Sequence, residues 1–145
     1  MGRIMPVIHN VSSVQRLTDM ARLVYGMGYR SLIVTKAYGG AAQNGVPEAY
    51  RIALKYNASL IVLPDLKDAV EYLSPGEVLL VSSEDPEELV EPCSGVSGDV
   101  MIVFNGGEQG FSPAEERLGR KIYIAGAPAR LGPLAEAALI LYKSS

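Results

Sequence analysis

Residue types on which small proteins build cross-links and metal sites are nearly absent. The 145-residue chain has one Cys, one His and no Trp. Cys93 alone cannot close an internal disulfide, and with His9 it cannot complete a zinc site of the usual ligand count. A disulfide scaffold and a structural zinc module are therefore excluded. Long apolar runs are missing too. The longest, such as Leu60 to Leu63 and Val100 to Phe104, are strand-sized, far short of the roughly 20 residues that cross a bilayer. Arg3 is followed by only a short apolar stretch that His9 and Asn10 close off, which is no secretion signal, so a cytoplasmic protein is expected.

What is present is an ordinary globular composition, 48% hydrophobic and 20% charged. A chain of this length buries roughly 68–70% of its unfolded surface, enough for one core in a single domain, 1–145. Net charge is −3, which by itself argues against a partner rich in phosphate. The average hides a segregation. Residues 1–60 hold seven basic side chains against two acidic ones, and the remainder six against fourteen. Such asymmetry points to a polyanionic partner for the basic half, or simply to solvated helix faces.

Short runs rich in Val, Ile and Leu alternate with helical stretches, the pattern of a mostly parallel sheet with helices on both faces. About six strands are predicted: Pro6–His9, Ser31–Thr35, Ser59–Leu63, Glu77–Val81, Val100–Phe104 and Lys121–Ile124. Ser12 or Ser13 caps a first helix with Val14, Leu17, Met20, Ala21 and Val24 at 3.6-residue spacing. Further helices are expected over Val46–Tyr56, Asp65–Leu73, Asp85–Val90 (with Pro86 in its first turn) and Gly132–Lys143. Residues 92–99 and 38–45 read as loops. In open parallel sheets ligands lie beyond the carboxyl ends of the strands, which directs attention to 9–13, 36–45, 105–112 and 125–133.

The segment from Asn105 to Glu115 carries the most information. Gly106, Gly107 and Gly110 let backbone approach a ligand closely, and Ser112 with Glu115 forms a capping box around Pro113. It is neither a dinucleotide fingerprint nor a P-loop. The run Gly-x-Glu-x-Gly-Phe-Ser-x-x-Glu resembles the signature of the SPOUT methyltransferases, in particular the branch that methylates uridine N3 of 16S ribosomal RNA. Leu118-Gly119-Arg120-Lys121-Ile122 is similar to a second run of that branch, and the Ala/Leu-rich final helix ending in Leu141-Tyr142 is similar to theirs. Arg22 and Gly28 echo the ribose-methylating branch. The Arg-Thr-Glu-Thr-Ala run of the one branch and the Ser-Leu-Asn motif of the other are absent.

The resemblance implies an α/β fold with a C-terminal trefoil knot, a homodimer, and S-adenosyl-L-methionine as cofactor. Carried over by position, it places the cofactor on Asn105, Gly106, Gly107, Glu108 and Gly110, on Ile124, Ala125, Gly126, Leu131 and Gly132, and on Val81 and Ser82. Methyl transfer from a sulfonium needs an in-line, near-attack arrangement aided by a base or a cation. His9 and Asn10, at the end of the first strand, and Arg22 are the candidates for those roles, with no metal involved.

The expected activity is methylation of transfer or ribosomal RNA, with Arg16, Arg22, Lys36, Gln43 and Asn44 contacting the RNA. Two alternatives stand beside it: a SPOUT-fold RNA-binding dimer without catalysis, and an unknotted doubly wound protein binding a nucleotide or phosphate at 105–112.

Overall fold

The computed structural model describes residues 2–86, 88–90 and 98–144. Seven parallel strands form one sheet: β1 (Ile4–Val11), β2 (Ser31–Ala37), β3 (Ser59–Leu63), β4 (Glu77–Val81), β5 (Glu88–Val90), β6 (Val100–Asn105) and β7 (Arg120–Ile124). Their order is β3-β2-β1-β6-β4-β7-β5. Helices α1 (Val14–Gly26), α2 (Val46–Lys55), α3 (Leu66–Leu73), α4 (Pro113–Glu116) and α5 (Pro133–Ser144) cover it. The α/β class and the parallel sheet stand as expected, and the sheet has seven strands instead of six. No helix among the described residues is long and apolar enough to cross a membrane.

Side chains alternate between two cores. Leu32, Val34, Ile102 and Phe104 face α1, α2 and α5; Met5, Val7, Ile33, Met101 and Val103 face Leu66 and Ala69 of α3 and Phe111. By this parity His9 and Thr35, paired across β1 and β2, face the α3 side. The alternation then reverses. Asn10 and Lys36, the next residue on each strand, have φ of 63° and 52°, and Val11 and Ala37 turn to the opposite core. Left-handed backbone at two adjacent non-glycine positions is unusual and marks this edge of the sheet.

Helix ends follow their chemistry. Ser13 caps α1 by accepting from the Arg16 N–H, and the capping box of α4 forms as expected between Ser112 and Glu115. A second box forms at α3, where the Asp65 carboxylate accepts from the Leu66 N–H and Asp68 accepts from the Asp65 N–H.

Two expectations fail. The helix over Asp85–Val90 is not there: Asp85 sits at φ 54°, and residues 88–90 form β5, paired with Ile122 to Ile124 of β7. The 38–45 loop is largely helical, since residues 41–45 form a π-helical turn that runs into α2. Ala41 and Gly45 are buried there; a Cβ on Gly45 would lie 3.1 Å from Leu17, so close packing on α1 holds the turn. Most of the 92–99 loop, with Cys93, lies outside the described residues.

Candidate functional site

Three ionisable side chains converge at the carboxyl ends of the strands. His9 ends the paired part of β1, Asp65 follows β3 as the cap of α3, and Glu115 lies in the first turn of α4. Their ligating atoms all lie within 4.8 Å of one another. His9 is 1% exposed. Its Nε2 lies 2.7 Å from Glu115 Oε2, its Nδ1 lies 2.7 Å from Thr35 Oγ1, and its ring stacks on Phe111 with centroids 6.0 Å apart. Imidazole position, plane and rotation are all fixed before any ligand arrives.

Burial raises the Glu115 carboxyl's proton affinity. The Ser112 N–H, the hydrogen bond and charge of His9 and the charge of Lys36 outweigh that effect, and the group sits below the usual carboxylate range. Glu115 is therefore ionised at neutral pH, and His9 Nε2–H donates to it. The Thr35 hydroxyl can donate to or accept from Nδ1, so it serves either ring tautomer.

The glycine-rich loop has a different role from the expected one. A Cβ on Gly106 would lie 3.1 Å from Ile8 and Val11, and one on Gly107 would lie 2.4 Å from Asn10 Nδ2. These glycines admit the end of β1, and Gly107 also borders an open hollow. Their backbone groups are committed as well. The Gly106 N–H donates to the His9 carbonyl and the Gly107 N–H to Asn105 Oδ1. Arg16 donates to the Gly106 carbonyl at 2.6 Å, and Arg130 donates to the carbonyls of Asn105 and Gly107.

Of the residues assigned to the cofactor, Val81, Ser82, Asn105, Glu108 and Gly110 do line one cavity, together with Arg130 and Glu136. It measures about 30 Å³, room for little more than water, against several hundred cubic ångströms for a cofactor-sized ligand. Ile124, which ends β7, and Ala125, Gly126, Leu131 and Gly132 of the β7–α5 connection do not line it. That connection is pinned by Tyr123, whose hydroxyl accepts from the Leu131 N–H and donates to Glu136 Oε2, both at 2.7 Å.

Burial, reinforced by the Glu136 bond and opposed by the Leu131 N–H, pushes Tyr123 up to about 12. Tyr25 reaches a similar value through burial. An unfolded tyrosine loses its proton near 10, so both contribute stability that is whole below that pH and is lost as pH rises toward 12. Tyr123→Phe is expected to cost about 1–3 kcal/mol at neutral pH, because the buried Glu136 carboxyl group and the part-buried Leu131 N–H lose their partner. It should also make the alkaline decline shallower while Tyr25 keeps its share. Denaturant titrations at pH 7 and across pH 9–11.5 check both, and an unchanged midpoint at pH 7 would refute the first.

The remaining assigned residues separate. Asn10 and Lys36 face an open hollow next to the cluster, lined also by Tyr38, Gly107, Glu108 and Gln109. Arg16 braces the loop and lies 3.8 Å from Glu108. Arg22 is exposed on α1 and pairs with Asp19 at 3.4 Å, away from both cavities. Gln43 and Asn44 are exposed on the π-helical turn and reach neither cavity. Asp65 and Thr35 were not legible as site residues: Asp65 has the sequence of a helix cap, and only strand register reveals Thr35. The available signal for Asp65 is its position immediately beyond the carboxyl end of β3.

Solved structures share the fold. The SpoU methyltransferase AviRb of Streptomyces viridochromogenes, solved with AdoMet, superposes with a TM-score of 0.72 at 16% identity over 97% of this chain. An rRNA methyltransferase of Sinorhizobium meliloti gives 0.66 at 14% over 98%. This chain spans only 58% and 55% of those two proteins. Identity this low carries the fold alone.

Sequence relatives point elsewhere. A candidate type II restriction enzyme of Aeropyrum pernix is 56% identical over 141 residues, covering 96% of this chain and 90% of its own length. Another, from Methanocaldococcus jannaschii, is 30% identical over 138 residues, covering 95% and 93%.

These findings correct the expectation of a methyltransferase. The Gly-x-Glu-x-Gly-Phe-Ser run that suggested it packs against β1 and turns Glu115 toward His9. S-adenosyl-L-methionine as cofactor gives way to a cluster with metal-ligand chemistry, and the exclusion of a metal falls with it. The RNA partner and the methyltransferase homodimer rest on that activity and lose their basis. Residues 39–143 match a family described as RecB-family nuclease (DUF2122), and the chain belongs to that family.

Proposed function

We propose that the chain is a metal-dependent nuclease that hydrolyses phosphodiester bonds in DNA. The observation that carries this is the convergence of His9, Asp65 and Glu115 at the ligand edge of the sheet. The donor set fits a divalent cation. One imidazole nitrogen and two carboxylate oxygens suit Mn²⁺ or Zn²⁺, and bringing atoms that lie within 4.8 Å of one another onto bonds of about 2.0–2.2 Å takes side-chain shifts of about an ångström. Thr35 supplies the outer hydrogen bond that fixes a ligating histidine. With Nε2 committed to a cation, the Nδ1 proton faces Thr35 Oγ1, a rotation of one hydroxyl away from the arrangement present.

A divalent ion held there supplies positive charge against the phosphate and acidifies water. The chain's own groups do the rest. In hydrolysis a water oxygen bonds to phosphorus as the bond to the leaving oxygen breaks, and the leaving oxygen takes up a proton. Lys36, exposed beside Glu115, places an ammonium where negative charge accumulates on the phosphoryl oxygens. The relatives' description as restriction enzymes supports DNA as the substrate.

Chelation tests this. Cleavage of plasmid or single-stranded DNA is expected with Mn²⁺, to stop with EDTA, and to return when Mn²⁺ is restored in excess. Asp65→Asn should need at least ~10-fold more metal for half-maximal rate, since one anionic ligand becomes neutral. Cleavage undiminished by EDTA, or none with any divalent ion, overturns the proposal.

We further propose that the segment after β7 is threaded as a trefoil knot. In support, β7 lies between β4 and β5, which are consecutive in sequence, and α5 returns to pack with α1 on the far side of β1 and β6. An experimental trace in which α5 passes outside the β4–β5 connection would refute it.

A further inference from the structure

The hollow beside the cluster, about 560 Å³, is larger than the cavity at Val81 and Ser82, and its polar side chains other than Glu108 are uncommitted. Among the described residues, the amides of Asn10 and Gln109, the Lys36 ammonium and the Tyr38 hydroxyl take part in no hydrogen bond or ion pair. Tyr38 is 49% exposed. The arrangement is held at a cost. Asn10 and Lys36 both adopt left-handed backbone, and the missing Cβ of Gly107 leaves room for the Asn10 amide. Without the reversal at Asn10 and Lys36, each strand's alternation would carry on and these side chains would not be delivered to this rim.

We infer that the hollow receives one unstacked nucleotide of the substrate strand, with its base on the Tyr38 ring and against the Asn10 and Gln109 amides, and its phosphate at Lys36. This rests on the nuclease reading and deepens it. The chemistry matches part by part. A volume of several hundred cubic ångströms suits a nucleotide. A half-exposed aromatic ring offers stacking to any base. Two carboxamides offer paired donors and acceptors, the complement of a base edge. A lysine without an ion pair meets a phosphate, and the one carboxylate on the rim, Glu108, is partly neutralised by Arg16. Bases in a duplex are stacked and cannot enter, so the substrate is single-stranded or has an unpaired nucleotide at the site of cleavage.

The test uses the full chain without added metal and 2-aminopurine deoxyribonucleoside 5′-monophosphate, whose fluorescence falls on stacking. Saturable quenching is expected. Tyr38→Ala should weaken it at least ~fivefold, and Tyr38→Phe should retain it. Lys36→Ala should weaken the nucleotide but not the corresponding nucleoside. Tyr38 is a surface residue, so circular dichroism should show the Ala variant folded. No saturable quenching, or quenching indifferent to Tyr38→Ala, overturns the inference. Parallel Mn²⁺ assays on a 2-aminopurine strand separate the two readings. Cleavage without Tyr38-dependent quenching sinks the nucleotide site and leaves the nuclease. Tyr38-dependent quenching without cleavage supports the site and sinks the nuclease.

Discussion

Glu115→Gln is expected to lower DNA cleavage by about 10²–10³-fold while leaving the fold intact. The two halves of that expectation come from the two oxygens of the side chain. Oε1 accepts from the Ser112 N–H at 2.8 Å as part of the capping box, and glutamine serves that position equally well. The start of α4 therefore survives. Oε2 faces His9 Nε2 at 2.7 Å, and in the variant an amide NH₂ stands there. It can donate to Nε2, with the ring turned to the tautomer that donates from Nδ1 to Thr35, so the buried histidine keeps both partners. What is lost is a negative ligand, and the Nε2 lone pair a cation would need is now occupied.

Loss of several kcal/mol of charge stabilisation at a reacting phosphate corresponds to two or three decades in rate. Calorimetric titration with Mn²⁺ should show affinity falling alongside turnover, while the thermal midpoint without metal moves little. A rate within a fewfold of the native chain's, with metal affinity preserved, would remove Glu115 from the site and leave it a helix cap.

How much of this is legible in the sequence depends on which force dominates each segment. The strands at 59–63 and 77–81 are predicted with their observed bounds, because short apolar runs between polar ends suit a parallel strand both where it is buried, as β4 is, and where it lies part-exposed at the sheet edge, as β3 does. Segment 85–90 shows the opposite. Pro86 followed by acidic residues is a good local helix start, yet tertiary pairing on β7 decides the outcome, and propensity is a weak prior against a free sheet edge.

At the site, His9 is legible because the chain's one histidine ends a strand on the ligand edge. Asp65 and Glu115 are not, since caps and metal ligands draw on the same residue types. The glycine-rich loop misleads for a related reason: glycine is required equally where a ligand comes close and where a strand does, and at Gly106 and Gly107 the neighbour is β1.

Phe104→Ala is expected to give the largest loss of stability. Phe104 is fully buried near the carboxyl end of β6, facing the α1, α2 and α5 side, with β1 on one flank and β4 on the other. Truncation removes the transfer energy of the ring and leaves a cavity that strands held in register by paired backbone can collapse around only in part. The cost for such a site is about 3–5 kcal/mol. For a chain of this size that lowers the thermal midpoint by roughly 6–20 °C.

The consequence reaches the site through register. Phe104 pairs with Ile8, and the next pair along the ladder is Asn105 with His9. Loosening that rung frees the histidine that Thr35, Glu115 and Phe111 otherwise fix from three sides. Phe104→Leu keeps most of the volume and should cost less than half as much. Denaturant unfolding of the two variants separates packing from register: equal losses would mean the cavity is not the cause, and a midpoint unchanged by alanine would contradict the burial of Phe104 itself.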